Sequence, residues 1–178
     1  MPPGAVISEP LRGMVEPDAA DRLGRRTVAG SAALWVTGAH GGSGESRIAD
    51  LIGGARVTDH CWPVLQDGGK PRVLLVCRAD IRGLTAAQSA LTQWASGVAP
   101  AVDLLGLAVL ADAPGKTPKA LRDFAAIVGG GAPRFWTLPW VEAWRHGDAS
   151  TPPPAREFQR FITDLAVLAT DTSPSTTN

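Results

Sequence analysis

Lysine is scarce in this sequence: of 17 basic side chains only three are lysine, Lys70, Lys116 and Lys119, and the other 14 are arginine. The 17 basic residues are matched by 17 acidic ones, so no charge excess marks a nucleic-acid or anionic-membrane binder. No apolar run is long enough to cross a bilayer. Cysteine is limited to Cys61 and Cys77, which excludes a disulfide framework. With His40, His60 and His146 scattered, no zinc-ligand spacing is present either. No charged segment followed by an apolar one opens the chain, so it reads as cytoplasmic. What is present is 178 residues, 44% of them hydrophobic, enough for one α/β core and too few for two.

Residues 1–30 mix Pro, Gly, Asp and Arg without a helical or strand period, which predicts a flexible N-terminal arm carrying Arg22, Arg25 and Arg26. Residues 31–169 are expected to form the compact domain, and the Ser/Thr-rich composition of 170–178 predicts a disordered tail. Short apolar runs at 32–37, 72–77, 104–110 and 134–138 read as buried strands, with a weaker one at 55–58. Helical spacing appears at 47–52, from about Thr85 to Trp94, at 118–128 with Pro118 in the first turn, and at 156–168 after the Pro152-Pro153-Pro154 hinge. Strands alternating with helices imply βαβ crossovers. The expected fold is therefore α/β, a three-layer sandwich around a mostly parallel sheet of four to five strands.

Between the first strand and the first helix lies Gly38-Ala39-His40-Gly41-Gly42-Ser43-Gly44-Glu45-Ser46, followed by Arg47. Glycines at 41, 42 and 44 let backbone N–H groups curl around an anion, where side chains would block the approach. The helix behind them adds partial positive charge. Strand, glycine loop and helix in that order are the context of a phosphate-binding loop.

Here the chain resembles the ParA/MinD family of P-loop ATPases, whose loop reads Lys-Gly-Gly-x-Gly-Lys-Ser/Thr. On that resemblance His40 takes the signature lysine position, Gly41, Gly42 and Gly44 match the glycines, and Glu45 takes the P-loop lysine position. Ser46 matches the magnesium-binding hydroxyl, and the nucleotide-contacting set becomes Ala39, His40, Gly41, Gly42, Ser43, Gly44, Glu45, Ser46 and Arg47. The segments 106–110 and 138–147 resemble the family's base-binding strand and its Ile-Pro segment. The resemblance implies a P-loop NTPase-like fold, ATP and magnesium as cofactors, a protein partner or homodimer, and a role in positioning, partition or secretion.

Both loop lysines are absent, and a carboxylate stands where one would neutralise phosphate. Two like charges a few Å apart repel by about 1 kcal/mol in water and several times that in a less polar cleft. Glu45 instead suits the helix dipole, worth roughly 0.3–1 kcal/mol, and can complete the anion site from within. The expectation is a pseudo-ATPase acting through weak nucleotide binding or partner binding. The alternative is an active magnesium-dependent ATPase that uses Arg47, or a partner's residue, in place of the lysine. Between the first helix and the Arg72 strand there is too little chain for two full strands with catalytic and Walker-B aspartates. Asp59 and Asp80 are the candidates for those roles; otherwise Asp59 is surface and Asp80 a cap.

Gly115-Lys116-Thr117 mimics the end of a Walker A motif, but position 110 is leucine where the first glycine belongs. Asp112, Lys116 and Lys119 fall, on the family reading, near the purine end of the cleft, or simply in a solvated loop. Ser43 and Ser46 have no evident base, and the loop is not a hydrolase Gly-x-Ser-x-Gly elbow. Trp136, Trp140 and Trp144 are either core under the last helix or an exposed partner-binding patch.

Overall fold

Apolar runs that are hydrophobic at every position need cover on both faces, and a parallel sheet between two helical layers supplies it. The computed structural model describes residues 7–11, 13–147, 153 and 155–170. Its strands are β1 (Gly24–Val28), β2 (Leu34–Gly38), β3 (Ala55–Val57), β4 (Cys61–Leu65), β5 (Arg72–Arg78), β6 (Asp103–Leu110) and β7 (Phe135–Leu138). The helices are α1 (Glu45–Asp50), α2 (Ile81–Ala95), α3 (Lys119–Gly129) and α4 (Arg156–Thr170). Five strands form one sheet in the order β3-β2-β5-β6-β7, with every neighbouring pair parallel.

Alternate side chains divide the core in two. Trp35, Val73, Leu75 and Leu107 pack with Leu84, Leu91 and Trp94 of α2 and with Ala125 and Val128 of α3. Leu34, Val36, Leu74, Val76 and Leu110 face the other way, against Ile48 of α1 and Phe158, Phe161 and Leu165 of α4. Phe158 and Phe161 are fully buried, and each contributes about 1.5–3 kcal/mol of burial, which anchors the helix. α2 starts earlier than its apolar spacing predicts because Asp80 caps it, its Oδ1 accepting the Gly83 N–H at 2.6 Å. Pro118 is the N-cap of α3, one step outside the first turn.

The flexible arm expected over 1–30 is corrected by residues 19–28. Ala19–Asp21 form a 3-10 turn, and β1 pairs in parallel with β4 as a separate two-stranded sheet. Four of the five β1 residues are exposed, so the strand has no apolar alternation to betray it. It is held instead by backbone pairing and by buried Gln93, whose Oε1 accepts from Leu23 N and Trp62 Nε1, both at 3.0 Å. The interval judged too short for two strands holds both β3 and β4. It can do so because β3 has only three residues and β4, interrupted by Pro63, leaves the main sheet. Of the triple-proline hinge, Pro152 and Pro154 lie outside the described residues, as does the tail from 171.

Candidate functional site

From β2 the chain passes through α1 to β3 on one side, then re-enters the main sheet at β5 on the other. The carboxyl ends of β2 and β5 therefore flank a topological switch point, where open α/β sheets place their ligands. The glycine loop leaves β2 at this point. Gly42 (φ 79°) and Gly44 (φ 94°) adopt left-handed backbone, which explains glycine at both positions.

The loop is filled by its own side chain. Glu45 is 5% exposed, and its Oε2 accepts the Gly38 N–H at 2.5 Å. Its Oε1 lies 3.2 Å from His60 Nδ1, close enough for an ion pair when His60 is protonated but not aligned as a hydrogen bond. A Cβ on Gly38 would strike Ser43 Oγ, and would lie 2.8 Å from His60 Nδ1 and 2.9 Å from Glu45 Oε2. Ser43 is wholly buried, and its Oγ has no hydrogen-bond partner among the described residues. Asp59 (φ 51°) and His60 (φ 60°) are consecutive non-glycine residues in left-handed backbone, a costly arrangement that needs support. Buried Thr58 bonding to Thr37 Oγ1 at 2.9 Å, and the exposed Arg26–Asp59 ion pair, supply it.

His40 ties the loop to the next strand. Its Nε2 accepts the Arg78 N–H at 3.1 Å, and Nδ1 lies 2.8 Å from Gly41 O, an arrangement that assigns the proton to Nδ1. Ala39, buried at the start of the loop, donates its N–H to Val76 O at 2.8 Å. Arg78, the last residue of β5, reaches across: Nε donates to Gly42 O and Nη1 to Ala111 O, each at 3.1 Å. Ser46 is exposed on α1.

These donors do not suit a nucleoside triphosphate with magnesium in the loop. A buried carboxylate already holds the Gly38 N–H, and no lysine reaches the site to offset the added negative charge. Asp59 is engaged by Arg26, and Asp80 caps α2. Among the described residues no group of three or more His, Cys, Asp or Glu is arranged to hold a metal ion. Burial, followed by the nearby Asp80 charge, pushes the Cys77 thiol up to about 12, so it is no nucleophile near neutral pH.

Next to the loop, between α1 and the carboxyl ends of β5, β6 and β7, lies a cleft of about 120 Å³. Arg47, Arg78, Pro139, Trp140, Trp144 and Arg145 line it. The three tryptophans of the 136–144 segment divide their roles. Trp136 is core, edge-on to Phe161 at 5.4 Å with Nε1 donating to Asp164 at 2.9 Å. Trp144 is half-buried, edge-on to Phe158 at 5.6 Å. Trp140 stands at the cleft beneath the Arg145 guanidinium, 5.0 Å from its ring centre, and donates to Glu142 Oε2 at 2.6 Å. Asp112 and Lys116 are exposed, and Lys119 pairs with Asp123 at 2.5 Å.

Gly38, His60 and Arg78 are the site residues that the motif reading missed. Gly38 and Arg78 carry one faint signal, their position at the carboxyl end of an apolar run. His60 carries none, since only the pairing of β3 beside β2 brings its segment to the loop.

No helix among the described residues is long and apolar enough to cross a membrane. Neither the curated proteins nor the solved structures contain a significant match to the chain. Residues 32–160, from the start of the first apolar run into α4, match the family of unknown function DUF6668, and the chain belongs to that family.

Proposed function

We propose that this is a degenerate P-loop-like protein of the ParA/MinD type, a pseudo-ATPase that works by binding a protein partner or, weakly, a nucleotide. Positioning, partition and secretion systems are the settings that the resemblance suggests. One observation carries the reading: the buried Glu45 carboxylate accepts the Gly38 N–H at 2.5 Å, so the loop keeps its shape with its own anion inside. A phosphate entering there would have to displace a group that is already desolvated and hydrogen-bonded. Single-turnover hydrolysis and calorimetric titration with ATP, ADP and GTP, with and without magnesium, test it. The expected result is no magnesium-dependent turnover, and a gain in ATP affinity for Glu45→Lys. Clear turnover abolished by Ser46→Ala would overturn the proposal.

A second reading, an active ATPase that borrows an arginine, draws on Arg47 and Arg78 lining the cleft beside the loop. It requires Glu45→Lys to leave activity unchanged or lower.

A further inference from the structure

Charged side chains are seldom buried without a partner, and this chain has equal numbers of each sign. The ion pairs of the described residues engage Arg22, Arg26, Arg72 and Lys119. None of them engages Arg47, Arg78 or Arg145, yet these three converge on the single cleft described above. Among the described residues no acidic side chain lines that cleft. Glu142, three residues before Arg145, accepts the Trp140 indole N–H at 2.6 Å.

The cations are also differently held. Arg78 is fixed by two carbonyls through Nε and Nη1, which leaves its Nη2 N–H groups for a ligand. Arg145 lies over the Trp140 ring, so its planar fork is orientated without using its donors. Forked guanidinium donors match the oxygens of a phosphoryl group, and such charge-assisted bonds are about twice as strong as neutral ones. Pro139, Trp140 and Trp144 give the remaining wall an apolar, aromatic surface for a flat ring. A volume of about 120 Å³ holds a phosphoryl-sized group and the edge of a ring, and is too small for a nucleoside triphosphate.

We propose that this cleft binds the phosphoryl group of a small aromatic phosphate monoester, between Arg47, Arg78 and Arg145, with the ring against Trp140 and Trp144. The site adjoins the glycine loop, to which Arg78 is bonded through Gly42 O, and does not depend on the function proposed above. Where that reading leaves the loop closed, this one gives the same end of the sheet an open anion site.

The test is calorimetric titration of the full chain with inorganic phosphate, phenyl phosphate and adenosine monophosphate, with the Trp140 indole N–H followed by NMR. Phenyl phosphate and adenosine monophosphate should bind about tenfold more tightly than inorganic phosphate, and each should shift the Trp140 signal. Arg145→Ala should weaken all three by about tenfold, and Arg145→Lys should restore only part, because the fork is lost. Trp140→Leu should erase the preference for ring-bearing ligands while phosphate itself still binds. Absence of saturable binding by all three probes overturns the proposal. So does binding that ignores both Arg145→Ala and Trp140→Leu but is lost in Ser46→Ala, since that would put the anion in the glycine loop. Equal affinity for inorganic phosphate and phenyl phosphate in the unaltered protein overturns the aromatic part. Failure of this site leaves the hydrolysis test of Glu45 untouched.

Discussion

The glycine loop and the arginine cleft sit at the same end of the same sheet and are built on opposite principles. In the loop the Glu45 carboxylate is buried and bonded to the backbone, so the region holds its own anion. In the cleft three guanidinium groups meet aromatic surface, with no carboxylate lining it among the described residues. The contrast teaches that the curl of a glycine loop can be separated from the sign of the charge it holds. Glycines at 42 and 44 keep the backbone curl, while the positive charge lines the adjoining cleft on Arg47, Arg78 and Arg145.

The sharpest way to break the contrast is Gly38→Ala. The new Cβ would strike Ser43 Oγ and lie within 3 Å of His60 and Glu45, so overpacking should cost about 3 kcal/mol in urea unfolding. A loss below about 0.5 kcal/mol would show that the loop interior is looser than described. Glu45→Ala removes the internal anion and leaves the Gly38 N–H unpaired, with an expected loss of about 2 kcal/mol by the same measurement. An unchanged unfolding midpoint would mean that the carboxylate does not close the loop.

Cys77 precedes Arg78 but faces the opposite side of the sheet, and it sharpens the comparison through pH. Its thiol is raised from 9.0 to about 12 by burial and then by Asp80. Below pH 9 it is protonated in both folded and unfolded chains, and its full contribution to stability is present. From pH 9 toward 12 only the unfolded chain releases the proton, so stability should fall by about 1.4 kcal/mol per pH unit. The chain has no tyrosine and only three lysines, so few other side chains titrate in that window. Cys77→Ala should flatten the alkaline slope of the unfolding midpoint, and an unchanged slope would assign it elsewhere. The smallest expected effect on stability belongs to the cleft. Arg145→Ala, on an exposed residue with no ion pair among those described, should change unfolding by less than about 0.5 kcal/mol. A larger loss would mean that the guanidinium over Trp140 serves the fold.

Much of the architecture is legible in the chain because the central strands are apolar at every position. β2, β5 and β6 fall within a residue or two of their apolar runs, and the alternation with helices implies parallel pairing. β1 and β4 escape because they do not depend on apolar side chains. Exposed Arg25 and Arg26, and Pro63 within β4, read as loop until backbone pairing and the Gln93 clamp join them. The loop's curl is written in its glycines, and its acidic residue is visible at Glu45. That His40 accepts the Arg78 N–H could not be read, because the contact spans 38 residues.

By itself the sequence determined the α/β class, the glycine loop at the end of the first buried strand, and the glutamate within it. Those features are local, set by hydrophobic period and by backbone freedom at single residues. Only the tertiary structure decided that Glu45 turns inward to the Gly38 N–H, that His60 comes to meet it, and that Arg47, Arg78 and Arg145 gather around Trp140 and Trp144. The physical reason is that charge and hydrogen bonding act over a few Å of space, and the order of strands in the sheet, not distance along the chain, sets which groups come that close.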